Sequence, residues 1–333
     1  MRRRAVFFLL QQIPVLCIPW LSRCVLGQIL IKQGKDMRYV WAALLSTALV
    51  ACGGGASSAN PSAPIPALGS TPALGAAPST PVIPPVVVPP ASPAGCGSGS
   101  KLATGMHSLT SDSTSRSYWI EMPANYDRNK AYPLIIGLHW RDGSAADVYG
   151  WSGFFGLKNL YGDNAIFVAP EGLDKGWANT GDRDIRFLRA MISEVQQGAC
   201  TDTQRVFATG FSFGGMMSNA IGCQMGDVVR AIVPMAGSLW SGCASSSNKV
   251  AAMFIHAKDD NVVPYSAGME ARDLFLKRNS CSANTVPVGS NGCVEYQGCD
   301  SGKPVIWCGT ETGGHWYPNF SAQESKAFFE RFK

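Results

Sequence analysis

The chain has 333 residues, 46% of them hydrophobic, and its 28 Lys/Arg against 23 Asp/Glu give a formal net charge of +5. Met1–Ala51 holds seven Lys/Arg and one Asp, so setting it aside leaves 21 basic against 22 acidic residues, a balance near −1. The positive charge belongs to that first segment, which excludes a basic nucleic-acid surface, and the rest is long enough for one large domain.

In chain order, Met37–Cys52 reads MRYVWAALLSTALVAC. A basic start, an apolar run and small residues ahead of a cysteine predict a secretory signal over 37–51. Leu49-Val50-Ala51-Cys52 resembles the bacterial lipobox, which implies cleavage before Cys52 and a lipid anchor on it. Met37 is then the expected start and 1–36 an upstream extension. Charges from Arg23 to Arg38 interrupt any span of the roughly 20 apolar residues that a bilayer requires. Residues 52–95 are mostly Gly, Ala, Ser and Pro with hardly a charge. Such a tract cannot bury a core and predicts a semi-extended linker.

The remainder, 96–333, alternates short apolar runs with helical patterns. Tyr118–Met122, Leu134–His139, Ala165–Val168, Arg205–Thr209, Ala231–Met235 and Ala251–His256 read as strands. Asp184–Gln197, Gly214–Gln224, Ala267–Arg278 and Ala322–Phe332 read as helices, the first with Asp182 and Asp184 at its start. This alternation predicts an α/β domain, a mostly parallel central sheet with helices on both faces, with its chemistry at the carboxyl ends of the strands.

Of eleven cysteines, Cys17 and Cys24 precede the expected mature chain and Cys52 is the lipid site. Eight remain in a chain addressed to an oxidising compartment, which predicts four disulfides. No C-x-x-C occurs among them, so no zinc site or other metal is expected. A hairpin of Val294–Gln297 with Pro304–Trp307, turning near Asp300-Ser301, sets Cys293 opposite Cys308. Cys281–Cys299 then ties that hairpin to the preceding helix. Cys223–Cys243 clamps the segment after the helix at Gly214, and Cys96–Cys200 pins the start of the domain.

Gly210-Phe211-Ser212-Phe213-Gly214 matches G-x-S-x-G between a predicted strand and a predicted helix. A tight, strained turn there leaves no room for side chains beside the serine and exposes its hydroxyl at a positive helix end. The Phe213 backbone N–H is then one oxyanion donor. A serine needs a base. The four histidines are His107, His139, His256 and His315. In serine hydrolases on such sheets the order is Ser, acid, His, which His315 in Gly313-Gly314-His315-Trp316 satisfies. His139 and His256 end apolar strands and read as structural or supporting residues. The acid belongs in the loop after Ala251–His256, where Asp259 and Asp260 are both candidates. A second oxyanion donor is expected in His139-Trp140-Arg141-Asp142-Gly143.

Five blocks carry a resemblance: YPLIIGLHWRDGS (Tyr132–Ser144), AIFVAPEGLDKGWANTGDRD (Ala165–Asp184), ATGFSFGGMMS (Ala208–Ser218), IHAKDDNVVPY (Ile255–Tyr265) and GGHWYP (Gly313–Pro318). In these, 96–333 resembles the feruloyl esterases, with the related acetylxylan esterases and polyhydroxybutyrate depolymerases. The resemblance implies an α/β-hydrolase fold and a catalytic domain that needs no cofactor. It selects Asp260 over Asp259 as the acid and the Arg141 amide as the second oxyanion donor.

The expected chemistry is carboxylic-ester hydrolysis through an acyl-enzyme on Ser212, with His315 as base and Asp260 orienting it. Trp140, Trp177 and Trp316 fall in or beside the blocks and are candidate walls for a hydroxycinnamoyl ring. The expected substrate is a ferulate ester of plant cell-wall polysaccharide. Acetylxylan or short-chain polyester hydrolysis is the alternative on the same machinery. An inactive polysaccharide-binding module is the alternative of another class.

Overall fold

The computed structural model describes residues 95–97, 101–243 and 247–333. The expectations placed on 1–36, on the signal at 37–51, on Cys52 and on the linker through Ala94 lie outside the described residues.

Ten strands form one sheet: β1 (Gly105–Ser111), β2 (Thr114–Glu121), β3 (Tyr132–Leu138), β4 (Ile166–Pro170), β5 (Thr201–Phe211), β6 (Ala231–Met235), β7 (Ala251–Ala257), β8 (Thr285–Val288), β9 (Cys293–Tyr296) and β10 (Val305–Thr310), in the order β1-β2-β4-β3-β5-β6-β7-β10-β9-β8. From β4 to β10 the neighbours are parallel; the two strands at each edge are antiparallel. The continuous apolar runs of β3, β4, β6 and β7 are buried at every residue, as strands covered on both faces must be. On β3, Leu134, Ile136 and Leu138 face one core cluster, while Ile135 faces the other. Helices α2 (Arg183–Gly198), α3 (Phe213–Gln224) and α4 (Tyr265–Arg278) fill the first with Phe187, Leu188, Met217, Ile221 and Phe275. Helices α1 (Leu157–Tyr161) and α5 (Ser321–Phe329) fill the second with Leu157, Tyr161, Phe328 and Phe329.

Strands β1 and β8 and helix α1 carried no sequence signal. β1 (GMHSLTS) is an edge strand whose exposed face carries Met106, Ser108 and Thr110, with no apolar period to mark it. Its hairpin turns through Asp112 and Ser113, both at positive φ (50° and 60°) without the glycine that usually marks such a turn. β5 begins four residues ahead of the expected Arg205, because Thr201 already pairs with Tyr132 across a register shift. The hairpin expected near Asp300 exists: β9 and β10 pair Val294 with Trp307 and Glu295 with Ile306. Disulfides join Cys96 to Cys200, Cys223 to Cys243, Cys281 to Cys299 and Cys293 to Cys308.

One buried ion pair ties the antiparallel edge to α2. The Arg116 guanidinium on β2 donates to Asp184 Oδ1 at 2.7 Å, with side-chain exposures of 2% and 0%, and stacks 4.0 Å from the Phe187 ring. Asp184 Oδ2 accepts from the Asn179 backbone N–H at 2.9 Å, and Asn179 Oδ1 accepts from the N–H groups of Asp184 and Ile185. Removing one partner leaves an uncompensated buried charge, so Asp184→Ala is expected to cost about 3–5 kcal/mol in urea unfolding. The double replacement Arg116→Met, Asp184→Leu is expected to recover most of that loss. Equal destabilisation of the single and double variants would remove the pairing argument.

Candidate active site

Strand β5 enters helix α3 through Ser212, which sits at φ 56°, ψ −118°, a conformation that costs an L-residue of order 1–3 kcal/mol and persists only where packing enforces it. The enforcement is visible. The Ser212 N–H donates to the Met235 carbonyl at the end of β6 at 2.9 Å, and the Ser212 carbonyl accepts from Met216 in α3. A Cβ on Gly210 would lie 2.5 Å from the Gly214 carbonyl, and one on Gly214 would lie 2.0 Å from the Leu138 carbonyl oxygen. Both glycines of the pentapeptide are therefore required by close backbone approach.

The loops after β7 and β10 bring the other two groups to this turn. His315 Nε2 is 2.8 Å from Ser212 Oγ, and His315 Nδ1 is 2.8 Å from Asp260 Oδ2. A carboxylate can only accept, so Nδ1 carries the ring proton and Nε2 is left with its lone pair towards the serine hydroxyl. Asp260 is 7% exposed, and its Oδ1 accepts from the N–H groups of Val262 and Val263, each at 2.9 Å. His256 Nε2 lies 2.9 Å from the Val263 carbonyl and 3.3 Å from Asp260 Oδ2, so its N–H is shared between them. Asp259, the neighbouring acid, does not touch the imidazole. Its carboxylate accepts from the backbone N–H groups of Gly313 and Gly314. His107 lies on β1, stacked on Tyr118, far along the sheet from these loops.

The turn after β3 is held by His139, which is fully buried. Its Nδ1 donates to the Trp140 carbonyl at 2.7 Å and its Nε2 accepts from the Gly172 N–H at 2.9 Å. The Gly143 N–H donates to the same Trp140 carbonyl at 3.2 Å. In a trans peptide the N–H points opposite to the C=O, so fixing the Trp140 carbonyl aims the Arg141 N–H away from these donors. The Phe213 N–H opens α3 and has no acceptor within the helix. The Arg141 guanidinium lies over the Phe213 ring at 5.5 Å, so the two residues expected to donate to an oxyanion are neighbours.

The tryptophan candidates separate. Trp140 is half-buried and Trp316 is 46% exposed, and both contact Phe211, whose ring centroid is 4.9 Å from that of His315. Trp177 is fully buried; its indole N–H donates to the His139 carbonyl at 2.8 Å, so it supports the turn and offers no surface to a ligand. Sequence reasoning missed Trp151, which is 64% exposed and stands edge-on to both Trp140 and Trp316, at 5.7 and 6.0 Å. It ends a π-helical turn, Asp147–Trp151, whose sequence has no apolar period to mark it.

Residues 178–295 match the family described as Phospholipase/Carboxylesterase. The chain is 36% identical over 233 residues to a probable feruloyl esterase C of Aspergillus niger, covering 68% of this chain and 84% of that one. It is 35% identical over 272 residues to a feruloyl esterase D of Neurospora crassa, covering 74% and 93%. Among solved structures, an acetyl xylan esterase from Aspergillus awamori superposes with a TM-score of 0.57 at 13% identity, over 68% of this chain and all but 1% of its own, a likeness of fold. Fold and relatives together define a carboxylic ester hydrolase with an α/β-hydrolase fold. Within that class the chain belongs to the feruloyl esterase family.

His139 and His256 have pKa values lowered from the ordinary 6.5. Burial is the leading cause in both, partly offset by their backbone carbonyl partners and nearby carboxylates. Below pH 6.5 the unfolded chain takes up protons that the fold refuses, so their contribution to stability is complete above that pH and is lost as pH falls. Urea midpoints are expected to fall between pH 8 and pH 5, with a shallower slope when His139 and His256 are both Gln. An unchanged slope in that variant would assign the acid sensitivity to other groups.

Proposed function

We propose that the protein is an exported serine esterase that releases ferulate or a similar hydroxycinnamate from plant cell-wall polysaccharide. The observation that carries the mechanism is the chain of two 2.8 Å hydrogen bonds from Asp260 through His315 to Ser212. Ser212 Oγ attacks the ester carbonyl while His315 Nε2 takes its proton. The resulting oxyanion accepts from the N–H groups of Phe213 and Arg141. Collapse of the tetrahedral intermediate breaks the ester C–O bond, and His315 returns the proton to the departing alcohol. Water, deprotonated by the same nitrogen, then attacks the acyl-enzyme and frees the acid and Ser212.

The feruloyl acyl group is supported by the names of the relatives and by the aromatic rim. Trp140 adjoins the proposed oxyanion donor Arg141, Trp316 adjoins the proposed base His315, and Trp151 bridges them, with Trp151 and Trp316 partly open to solvent. A planar hydroxycinnamoyl ring gains area and stacking there that an acetyl group cannot. Export is supported by the signal pattern and by disulfide pairing of every cysteine from Cys96 onward. The lipid anchor at Cys52 rests on the lipobox pattern, and Cys52→Ser is expected to move the protein from the membrane fraction to the soluble one.

Methyl ferulate and p-nitrophenyl acetate test both levels of this reading. Ser212→Ala is expected to lower kcat/KM on both by about 10⁴-fold or more. Trp151→Ala is expected to lower it about tenfold on methyl ferulate alone. Acetate turnover without ferulate turnover in the wild type would move the assignment to a deacetylase. Ferulate turnover in Ser212→Ala would overturn the mechanism.

A further inference from the structure

Two consecutive aspartates follow β7, and only Asp260 meets the imidazole. Asp259 turns the other way. Its Oδ1 accepts from the Gly314 N–H at 2.7 Å and its Oδ2 from the Gly313 N–H at 3.3 Å, so one carboxylate holds the amides of the two residues that precede His315. Those residues sit at φ 141° and φ 60°, a bend that only glycine makes without strain and that an unrestrained Gly-Gly segment leaves for many other conformations. The two loops start side by side because β7 and β10 are parallel neighbours in register, Ala257 beside Thr310. The Lys258 N–H donates to the Thr310 carbonyl at 2.8 Å, and Lys258 Nζ pairs with Glu311. Three successive residues, 258 to 260, thus clip the β10 loop at its base, at the glycine bend and at the imidazole.

We infer that Asp259 is a positioning residue for the base: by accepting from the Gly313 and Gly314 amides, it freezes the glycine bend that carries the His315 ring between Asp260 and Ser212. The inference rests on the proposed catalytic triad. The geometry explains why a flexible Gly-Gly pair can precede a group whose reach must be correct to a fraction of an ångström. Glycine permits the bend, and the carboxylate selects it. Misplacing a catalytic group by about 1 Å costs on the order of 10²-fold, so fixing the loop in the free enzyme affects the chemical step more than substrate binding.

The test is a set of variants assayed on p-nitrophenyl acetate and methyl ferulate, with near-UV circular dichroism to verify folding. Asp259→Ala is expected to lower kcat about 10–100-fold with KM within about twofold. Asp259→Asn keeps one acceptor oxygen in the same shape and is expected to fall between wild type and Asp259→Ala. A mere effect of the negative charge on the imidazole would instead make the Asn and Ala variants equal, which would overturn the proposal. The decisive comparison is in a His315→Ala background. A residue that acts only through His315 has nothing left to position there, so adding Asp259→Ala is expected to change the residual rate by less than about twofold. A further tenfold loss in that background, or wild-type kcat in Asp259→Ala, would overturn it. If His315→Ala alone retained full activity, the triad reading itself would fail, an outcome separate from these.

Discussion

The site depends on how closely the first turn of α3 approaches the ends of β3 and β6. With Gly214 against the Leu138 carbonyl and Ser212 bonded to the Met235 carbonyl, the chain can leave β5 and enter the helix only by carrying Ser212 into a strained conformation. That strain is offset by the burial of β3, β5 and β6 on both faces of the sheet. The same contact fixes the Phe213 N–H beside the turn after β3. Ser212 and the Phe213 N–H, the proposed nucleophile and oxyanion donor, are consequently set by the core, while His315 and Asp260 arrive on loops that must be held separately.

The loops are held electrostatically. Asp260 is nearly buried, and its two oxygens meet four N–H groups, from Val262, Val263, His256 and His315. His256 is part of that account. Buried and with its pKa lowered by that burial, it donates through Nε2 towards the Val263 carbonyl and Asp260 Oδ2, the same oxygen that meets His315. His139 does the corresponding work at the turn after β3, using one nitrogen to donate and the other to accept. A protonated His139 would confront the Gly172 N–H with a second donor.

Much of this was legible in the sequence, for identifiable reasons. Strands buried on both faces are continuous apolar runs, so β3, β4, β6 and β7 were readable; edge strands β1 and β8 depend on pairing that leaves little mark on residue type. The pentapeptide around Ser212 was readable because steric demand at Gly210 and Gly214 forbids any side chain there. Spacing alone left Asp259 and Asp260 open, and only the family resemblance chose Asp260, because adjacent residues in a turn differ only in direction. Direction is set by which N–H groups lie within reach: Asp260 meets the local Val262 and Val263 amides and the His315 ring, while Asp259 meets the amides of Gly313 and Gly314, more than fifty residues further along the chain. Trp177 misled for a related reason. Its block reads as part of the site because it supports the site from beneath, and an indole that donates inward looks the same in a sequence as one that stacks on a ligand.

The distribution of exposed apolar side chains bears on what the site accommodates. Of the large hydrophobic residues most open to solvent, Trp151, Trp240, Val262 and Trp316 stand on loops after β3, β6, β7 and β10, at the carboxyl edge of the sheet. Met106 and Val286 lie on the two edge strands, and Leu160 lies on α1. Scattered exposed hydrophobics are ordinary, but all three exposed tryptophans among the described residues fall on this one edge. Trp316 follows His315 directly in the chain and stands edge-on to Trp151, where the proposed hydroxycinnamoyl ring is expected. The aromatic rim is therefore the structural feature on which the proposed choice of a large, flat ester over the smallest esters rests.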